Sequence, residues 1–371
     1  MTAAAALTIR LAQPIVEDDE KRAVIDALES KQLAQGPRVA AFEEAFAAYI
    51  GVEHAIAVNS GTAALHLALL AHGIGAGDEV IVPAFSFAAT ANVVLHAGAR
   101  PVFVDVREDD LCIDPGQVEV AITTRTKAVM PVHLYGQPCE IDAMRAICER
   151  RGIALIEDAA QAVGASVGGK KCGAFGIAAF SFYATKNLQT GEGGMITTND
   201  AAVAEMARTL RSQGERTRYV TEELGFNYRM TEIAAALGKA QLRKIDARNE
   251  QRRRNAARLT ELLSDVDAIE TPRELPGRHH VYHQYTVRVR AGRDARDRLQ
   301  AALRNEGIES AVFYPAPIHQ QPLYRRLGYG DVRMPVAERL CDEVLSLPVH
   351  PGLAEGDQER VATSVARSIR S

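Results

Sequence analysis

Seven short apolar runs between residues 54 and 198 constrain this chain more than any other feature. In order they are HAIAV, EVIVP, PVFVDV, KAVMPVHLY, IALIEDA, AAFSFY and GMITT, and each is bounded by polar or glycine-containing segments. Between them lie stretches such as TAALHLALLAHG and EIDAMRAICERRG, whose apolar residues recur at helical spacing. Strands alternating with helices predict an α/β layer with a mainly parallel sheet, because a parallel pair needs the long crossover that a helix supplies. Ligands of such sheets bind beyond the carboxyl ends of the strands. The residues at those ends are chemically diverse: Ser60, Gly61 and Thr62; Phe85 to Phe87; His133 and Tyr135; Asp158 and Gln161; Ser181 and Lys186.

Residues 231 to 264 read as one long helix rich in Ala, Leu and Arg. Its cluster Arg248, Arg252, Arg253, Arg254 and Arg258 reads as a solvated face, since acids interleave and the 371-residue chain carries a net charge of -4. No nucleic-acid partner is expected. Beyond it HHVYHQYTVRVR predicts a strand, and ARDRLQAALRNEGI and GDQERVATSVARSI predict helices. We divide the chain into residues 1–247, an N-terminal segment with the large domain, and 248–371, a smaller α+β domain. Five cysteines at 112, 139, 148, 172 and 341 form no CxxC pair, which fits packing roles in a reducing cytoplasm. The alanine-rich start lacks the basic flank of a signal peptide, and no apolar run approaches the ~20 residues of a membrane span. His279, His280 and His283 read as surface or strand residues with no metal-ligand pattern around them.

Three segments carry chemistry. NSGTAALHLAL places a small-residue turn at the start of a helix, where free N–H groups and the helix dipole suit a phosphate, although Ser60 or Thr62 as a simple N-cap explains the same residues. In IEDAAQAVGA the strand-end Asp158 needs a donor or cation to stay charged, and a pyridinium nitrogen or a following helix end would each serve. In SFYATKNLQTGEGGMITTND, Lys186 stands between aromatic bulk and glycines; an amine attacks a carbonyl only when neutral, so a reactive lysine needs a desolvated pocket. A phosphate cradle, a strand-end aspartate and a lysine on the next strand-loop are the anchors pyridoxal phosphate requires.

With LAQGPRVAAFEEAFAAYIGVEHAIAVNSGTAALHLAL, GDEVIVPAFSFAATANVVLHAGARPVFVDV, MPVHLYGQPCEIDAM, LGFNYRMTEIAAALGKAQL, VFYPAPIH and LSLPVHPGL in the same order, the chain resembles the DegT-type family of pyridoxal-phosphate nucleotide-sugar aminotransferases. The resemblance implies aminotransferase fold type I: a large domain with a mainly parallel seven-stranded sheet flanked by helices, and a smaller α+β C-terminal domain. It implies that Lys186 forms the Schiff base with pyridoxal 5'-phosphate and shuttles the proton, and that Asp158 pairs with the ring nitrogen. Gln161 lies at the ring's polar edge or face, and Phe87 stacks on the ring. Gly61, Thr62, Ala63 and Ser181 hold the phosphate, with Asn227 reaching it from a second subunit, so a homodimer shares its sites. Glu192, Arg229 and His319 match segments lining the family's substrate cleft.

The implied reaction takes nitrogen from L-glutamate, leaves pyridoxamine 5'-phosphate, and passes the nitrogen to a keto-sugar on a nucleoside diphosphate. The TGEGG turn resembles members acting at carbon 4 of the hexose; carbon 3 and a keto-cyclitol are the alternatives. Lys186 argues against the branch that carries histidine here and removes a sugar hydroxyl. Lys186 and Asp158 together argue against a non-catalytic regulatory relative. A nicotinamide dehydrogenase would carry G-x-G-x-x-G where this chain has NSGTAAL.

Overall fold

All seven runs become strands of one sheet in the computed structural model, which describes residues 8–370. They are β1 (His54–Val58), β2 (Glu79–Pro83), β3 (Arg100–Val104), β4 (Thr126–Val129), β5 (Ala154–Asp158), β6 (Ile177–Ser181) and β7 (Gly194–Thr198), in the spatial order β1-β7-β6-β5-β4-β2-β3. The pairs from β6 through β5, β4 and β2 to β3 are parallel. Only β7 runs against its neighbours β1 and β6. The reason lies in the connection, residues 182–193, which contains no helix and so returns the chain antiparallel. That connection carries Lys186.

Neighbouring residues of one strand enter different cores, as the period of two requires of a sheet covered on both faces. Ile56 and Val58 of β1 pack into one core with Ile177 and Ala179 of β6. Ala55 and Ala57 face the other, with Ala178 and Phe180. The second core is aromatic: helix α2 (Pro37–Ile50) sets Phe46 with its ring centroid 5.0 Å from that of Phe180 and 5.4 Å from that of Phe182. Each such pair adds about 0.5–1.5 kcal/mol beyond its buried area. The start of α2 is held from far along the chain, where the fully buried Glu232 accepts hydrogen bonds from the Arg38 and Val39 amides, both at 2.9 Å. A carboxylate there also meets the positive end of the helix dipole.

A second, antiparallel sheet joins Ile269–Glu270, Tyr285–Val289 and Val344–Leu347. Helices Ile245–Leu262, Arg293–Asn305 and Asp357–Arg370 pack with it around a separate core. Ile9 belongs to that core and pairs with Ile308, which ties the N-terminal segment to the C-terminal core. The 247/248 division falls inside the helix Ile245–Leu262. The alanine-rich residues 1–7 lie outside the described residues.

Three expectations are corrected. The single helix over 231–264 is two helices, Glu232–Leu242 and Ile245–Leu262, and the break turns Lys244 onto Glu17, Asp19 and Glu20 of the N-terminal segment. The arginine cluster is structural as well as solvated: Arg252 is buried and donates to the Tyr282 and His283 carbonyls, Arg248 reaches Glu20 at 2.9 Å, and Arg253 reaches the His280 carbonyl at 2.8 Å. Burial pushes the Arg252 guanidinium down to about 10. His280 and His283 are buried, and HHVYHQYTVRVR forms a continuous strand only over Tyr285–Val289. All five cysteines are free and buried. No helix among the described residues is long and apolar enough to cross a membrane.

Candidate active site

Helix α3 (Gly61–Ala71) begins directly after β1, with Ser60 as its N-cap accepting from the Ala63 amide at 3.1 Å. The cap thus uses the N–H of Ala63 and leaves those of Gly61 and Thr62 outside the helix's own hydrogen bonds. Capping by Ser60 therefore leaves two N–H groups of this turn available to an anion. Space around it explains the glycines: a Cβ on Gly61 would lie 2.7 Å from Ser181 Cβ, and one on Gly194 would lie 2.4 Å from the Ser60 carbonyl oxygen. The ends of β1 and β6 and the start of β7 thereby close into a cradle of small groups at the positive end of a helix.

Asp158 ends β5 with only 5% of its surface exposed. Burial pushes its carboxyl upward; the Thr90 hydroxyl, the Ala160 amide and the charge of Lys186 oppose that shift. Oδ2 accepts from Thr90 Oγ1 at 2.8 Å and Oδ1 from the Ala160 amide at 3.2 Å, so each oxygen retains capacity for a further donor. Next to it, the fully buried Glu157 accepts from the Gly173, Phe175 and Gly176 amides and pairs with His133 Nε2 at 3.0 Å. The Cys139 amide donates to His133 Nδ1, which fixes the proton on Nε2. These bonds immobilise the end of β5 from behind.

Lys186 sits in the 182–193 connection, its amide bonded to the Tyr183 carbonyl at 2.8 Å. Its ammonium makes no hydrogen bond or ion pair among the described residues. Desolvation pushes its pKa down to about 8 against the pull of Asp158. The following Asn187 is pinned by Asn249 Oδ1 at 2.8 Å, the Val281 carbonyl at 3.1 Å and His283 Nδ1 at 3.2 Å. A buried amide held at three points fixes where the lysine emerges.

Phe87 is 59% exposed, unusual for a phenylalanine bordered by the buried Phe85 and Ser86. Its ring centroid lies 6.0 Å from that of Tyr314. Gln161 is buried; its Oε1 accepts from the Tyr135 amide at 2.7 Å, and its Nε2 donates to the Tyr314 hydroxyl at 3.3 Å. Tyr135 holds a left-handed φ of 58°, which costs a non-glycine residue strain and here aims its amide at Gln161. Tyr314 and Asn187 were not singled out from the sequence. The VFYPAPIH and ATKNLQ segments held the signal, but the contacts join residues 153 and 62 positions apart.

The segment 227–229 runs beside the end of β1: Val58 pairs with Arg229, and the Asn59 amide donates to the Tyr228 carbonyl at 2.8 Å. Asn227 is exposed there, its carbonyl accepting from Asn59 Nδ2 at 3.3 Å. Arg229 is half-buried without a carboxylate partner among the described residues, and its charge adds to the burial that pushes Arg211 down. Glu192 is exposed on the turn before β7. His319 is fully buried against Phe103 and faces Glu338 at 3.5 Å, so this chain leaves it no surface for a ligand.

A doubly covered, mainly parallel sheet with a lysine of depressed pKa, a buried aspartate with spare acceptor capacity and a glycine-lined helix start fits pyridoxal phosphate and defines a fold type I transferase. Residues 14–366 match the DegT/DnrJ/EryC1/StrS aminotransferase family, and the chain belongs to it. It is a sugar aminotransferase by family, with pyridoxal 5'-phosphate as cofactor. The chain is 43% identical to the GDP-perosamine synthase of Caulobacter vibrioides over 96% of this chain and 97% of that protein. It is 45% identical to a pleiotropic regulatory protein of Geobacillus stearothermophilus over 94% of each. The crystal structure of Streptomyces venezuelae DesV in complex with a ketimine intermediate superposes with a TM-score of 0.91 at 40% identity, covering 95% of this chain and 94% of that one.

Proposed function

We propose that the protein is a homodimeric transaminase that moves the amino group of L-glutamate to a keto-sugar carried on a nucleoside diphosphate, a 4-keto-6-deoxy hexose in the reading the TGEGG turn favours. The observation that carries it is the Lys186 amine, without a hydrogen-bond or ion-pair partner among the described residues and with its pKa held down to about 8, within electrostatic reach of the buried Asp158. The likeness to a GDP-perosamine synthase supports a nucleotide-linked sugar. The unpartnered Arg229 supplies a cation for the diphosphate. The reaction takes place in the cytoplasm, where the five buried thiols stay reduced.

Bound pyridoxal phosphate supplies an electron sink for the carbanion at the substrate's reacting carbon. The chain's own residues do the rest. Gly61, Thr62 and Ser181 would hold the phosphate, with Ala63, whose N–H the Ser60 cap already engages, beside them, and Phe87 would pack on the ring. Gln161 presents an N–H to the ring's polar edge, since its oxygen is engaged by the Tyr135 amide. Asp158 would keep a proton on the ring nitrogen, and the neutral Nζ of Lys186 would take the proton from the donor's α-carbon and return it on the far side of the nitrogen, at the cofactor's aldehyde carbon.

Amination at carbon 3, or of a keto-cyclitol, is the alternative within the same chemistry. A regulatory role rests on the names of relatives, among them the 45% identical protein named as a regulator. Supplying the glutamate-treated enzyme with nucleotide-linked 4-keto and 3-keto hexoses and a keto-inositol distinguishes these readings. Amino-sugar product from the 4-keto compound is expected, and no amino product from any of them would favour the regulator.

The shared site has its own test. In mixtures of Lys186→Ala and Asn227→Asp subunits, each inactive alone, heterodimers hold one site with both native residues, so activity should return to about a quarter of the wild-type level. No recovery would place Asn227 and Lys186 of one chain in one site.

A further inference from the structure

The loop between β2 and helix α4 (Ala89–His96), together with the first turn of that helix, faces two ways. Phe87 turns outward, while Ser86 and Thr90 turn inward with 4% and 0% exposure. Thr90 Oγ1 lies 2.8 Å from Asp158 Oδ2 and 3.0 Å from Ser86 Oγ. A hydroxyl has one proton, and an ionised carboxylate can only accept. Thr90 therefore donates to Asp158, and Ser86 must donate to Thr90. The pair forms a polarised relay whose direction is set by the charge on Asp158.

We propose that the Ser86–Thr90 hydroxyl relay is the positioning device that keeps the buried Asp158 ionised and aimed at the cofactor's ring nitrogen. This rests on the assignment of Asp158 to that nitrogen. The groups around the carboxylate show why a dedicated donor is needed. Apart from Thr90, the donor to the Asp158 carboxylate among the described residues is the Ala160 amide, at a longer 3.2 Å. Lys186 and His133 favour the charge electrostatically, but His133 is tied to Glu157, and Lys186 must be neutral when it takes a proton. Tyr314 offers no opposing charge; the nearby Asp158 helps hold its phenol in the neutral form. Once Lys186 is neutral, the Thr90 hydroxyl is the shortest remaining bond that stabilises the carboxylate, and Ser86 strengthens it by polarising the donor.

The test compares wild-type holoenzyme with Thr90→Val, which keeps the shape and removes the hydroxyl, Thr90→Ser, which restores it, and Asp158→Asn. The readouts are the nitrogen-15 shift of ring-labelled pyridoxal phosphate and the pH profile of the glutamate half-reaction. Hydrogen bonds to charged groups carry enough energy for Thr90→Val to slow that half-reaction by about ten- to hundredfold. Losing the donor raises the carboxyl's pKa further, and the ionised form is lost as pH falls, so the acid limb should move to higher pH. The nitrogen shift should move toward the unprotonated ring, and Thr90→Ser should return both readouts close to wild type. A Thr90→Val enzyme with wild-type shift and pH profile, while Asp158→Asn alters both, would overturn the relay alone. Equal impairment of Thr90→Ser and Thr90→Val would also overturn it, pointing to methyl packing. If Asp158→Asn leaves the nitrogen signal unmoved, the assignment of Asp158 itself fails.

Discussion

Replacing Lys186 with alanine should abolish transamination, lowering turnover by at least about 10⁴-fold, the upper range for removing a positioned proton-transfer group. The protein should still fold, because the lysine's ammonium holds no partner and Asn187 continues to anchor the loop. Pyridoxal phosphate should then bind without the visible absorbance of a lysine-linked cofactor. The pH dependence carries an independent check. A lysine shifted down to about 8 is increasingly neutral as pH climbs through that value, so the rate at which apo-enzyme captures the cofactor should rise between about pH 7 and 9 and level off above. A rate still climbing toward pH 10.5, the ordinary lysine value, would mean that the amine is not desolvated.

Asp158→Asn should leave the cofactor bound, since the phosphate cradle is untouched, yet slow both half-reactions by about 10²- to 10³-fold. The amide is nearly isosteric: its oxygen can keep the Ala160 bond while its NH2 donates to the Thr90 hydroxyl oxygen, so folding is preserved. It carries no charge to hold the ring-nitrogen proton. Stopped-flow absorbance with glutamate alone measures the loss, and a rate near wild type would refute the role.

The sheet was legible because each strand is a short apolar run and each crossover a helical one, so local pattern and global topology agree. Gly61, Ser181, Asp158 and Lys186 were legible for the same reason, as they stand where strands end. What escaped depends on partners distant in sequence. At the break, Lys244 meets carboxylates at 17, 19 and 20, far back in the sequence. Arg252 looks solvated in sequence because nothing local shows that the Tyr282 and His283 carbonyls cover it. Tyr314 joins the site through Gln161 and Phe87, and Thr90 reads as an ordinary residue of a helix's first turn until Asp158 is placed against it.

The most direct test of the account is the absorbance spectrum of the purified protein with pyridoxal phosphate, before and after L-glutamate with no sugar present. The lysine-linked band should decay as the near-ultraviolet band of the amino form of the cofactor grows, with stoichiometric 2-oxoglutarate released, and Lys186→Ala should show neither change. A cofactor band that ignores glutamate would contradict the proposed donor, and failure to bind pyridoxal phosphate at all would contradict the site itself.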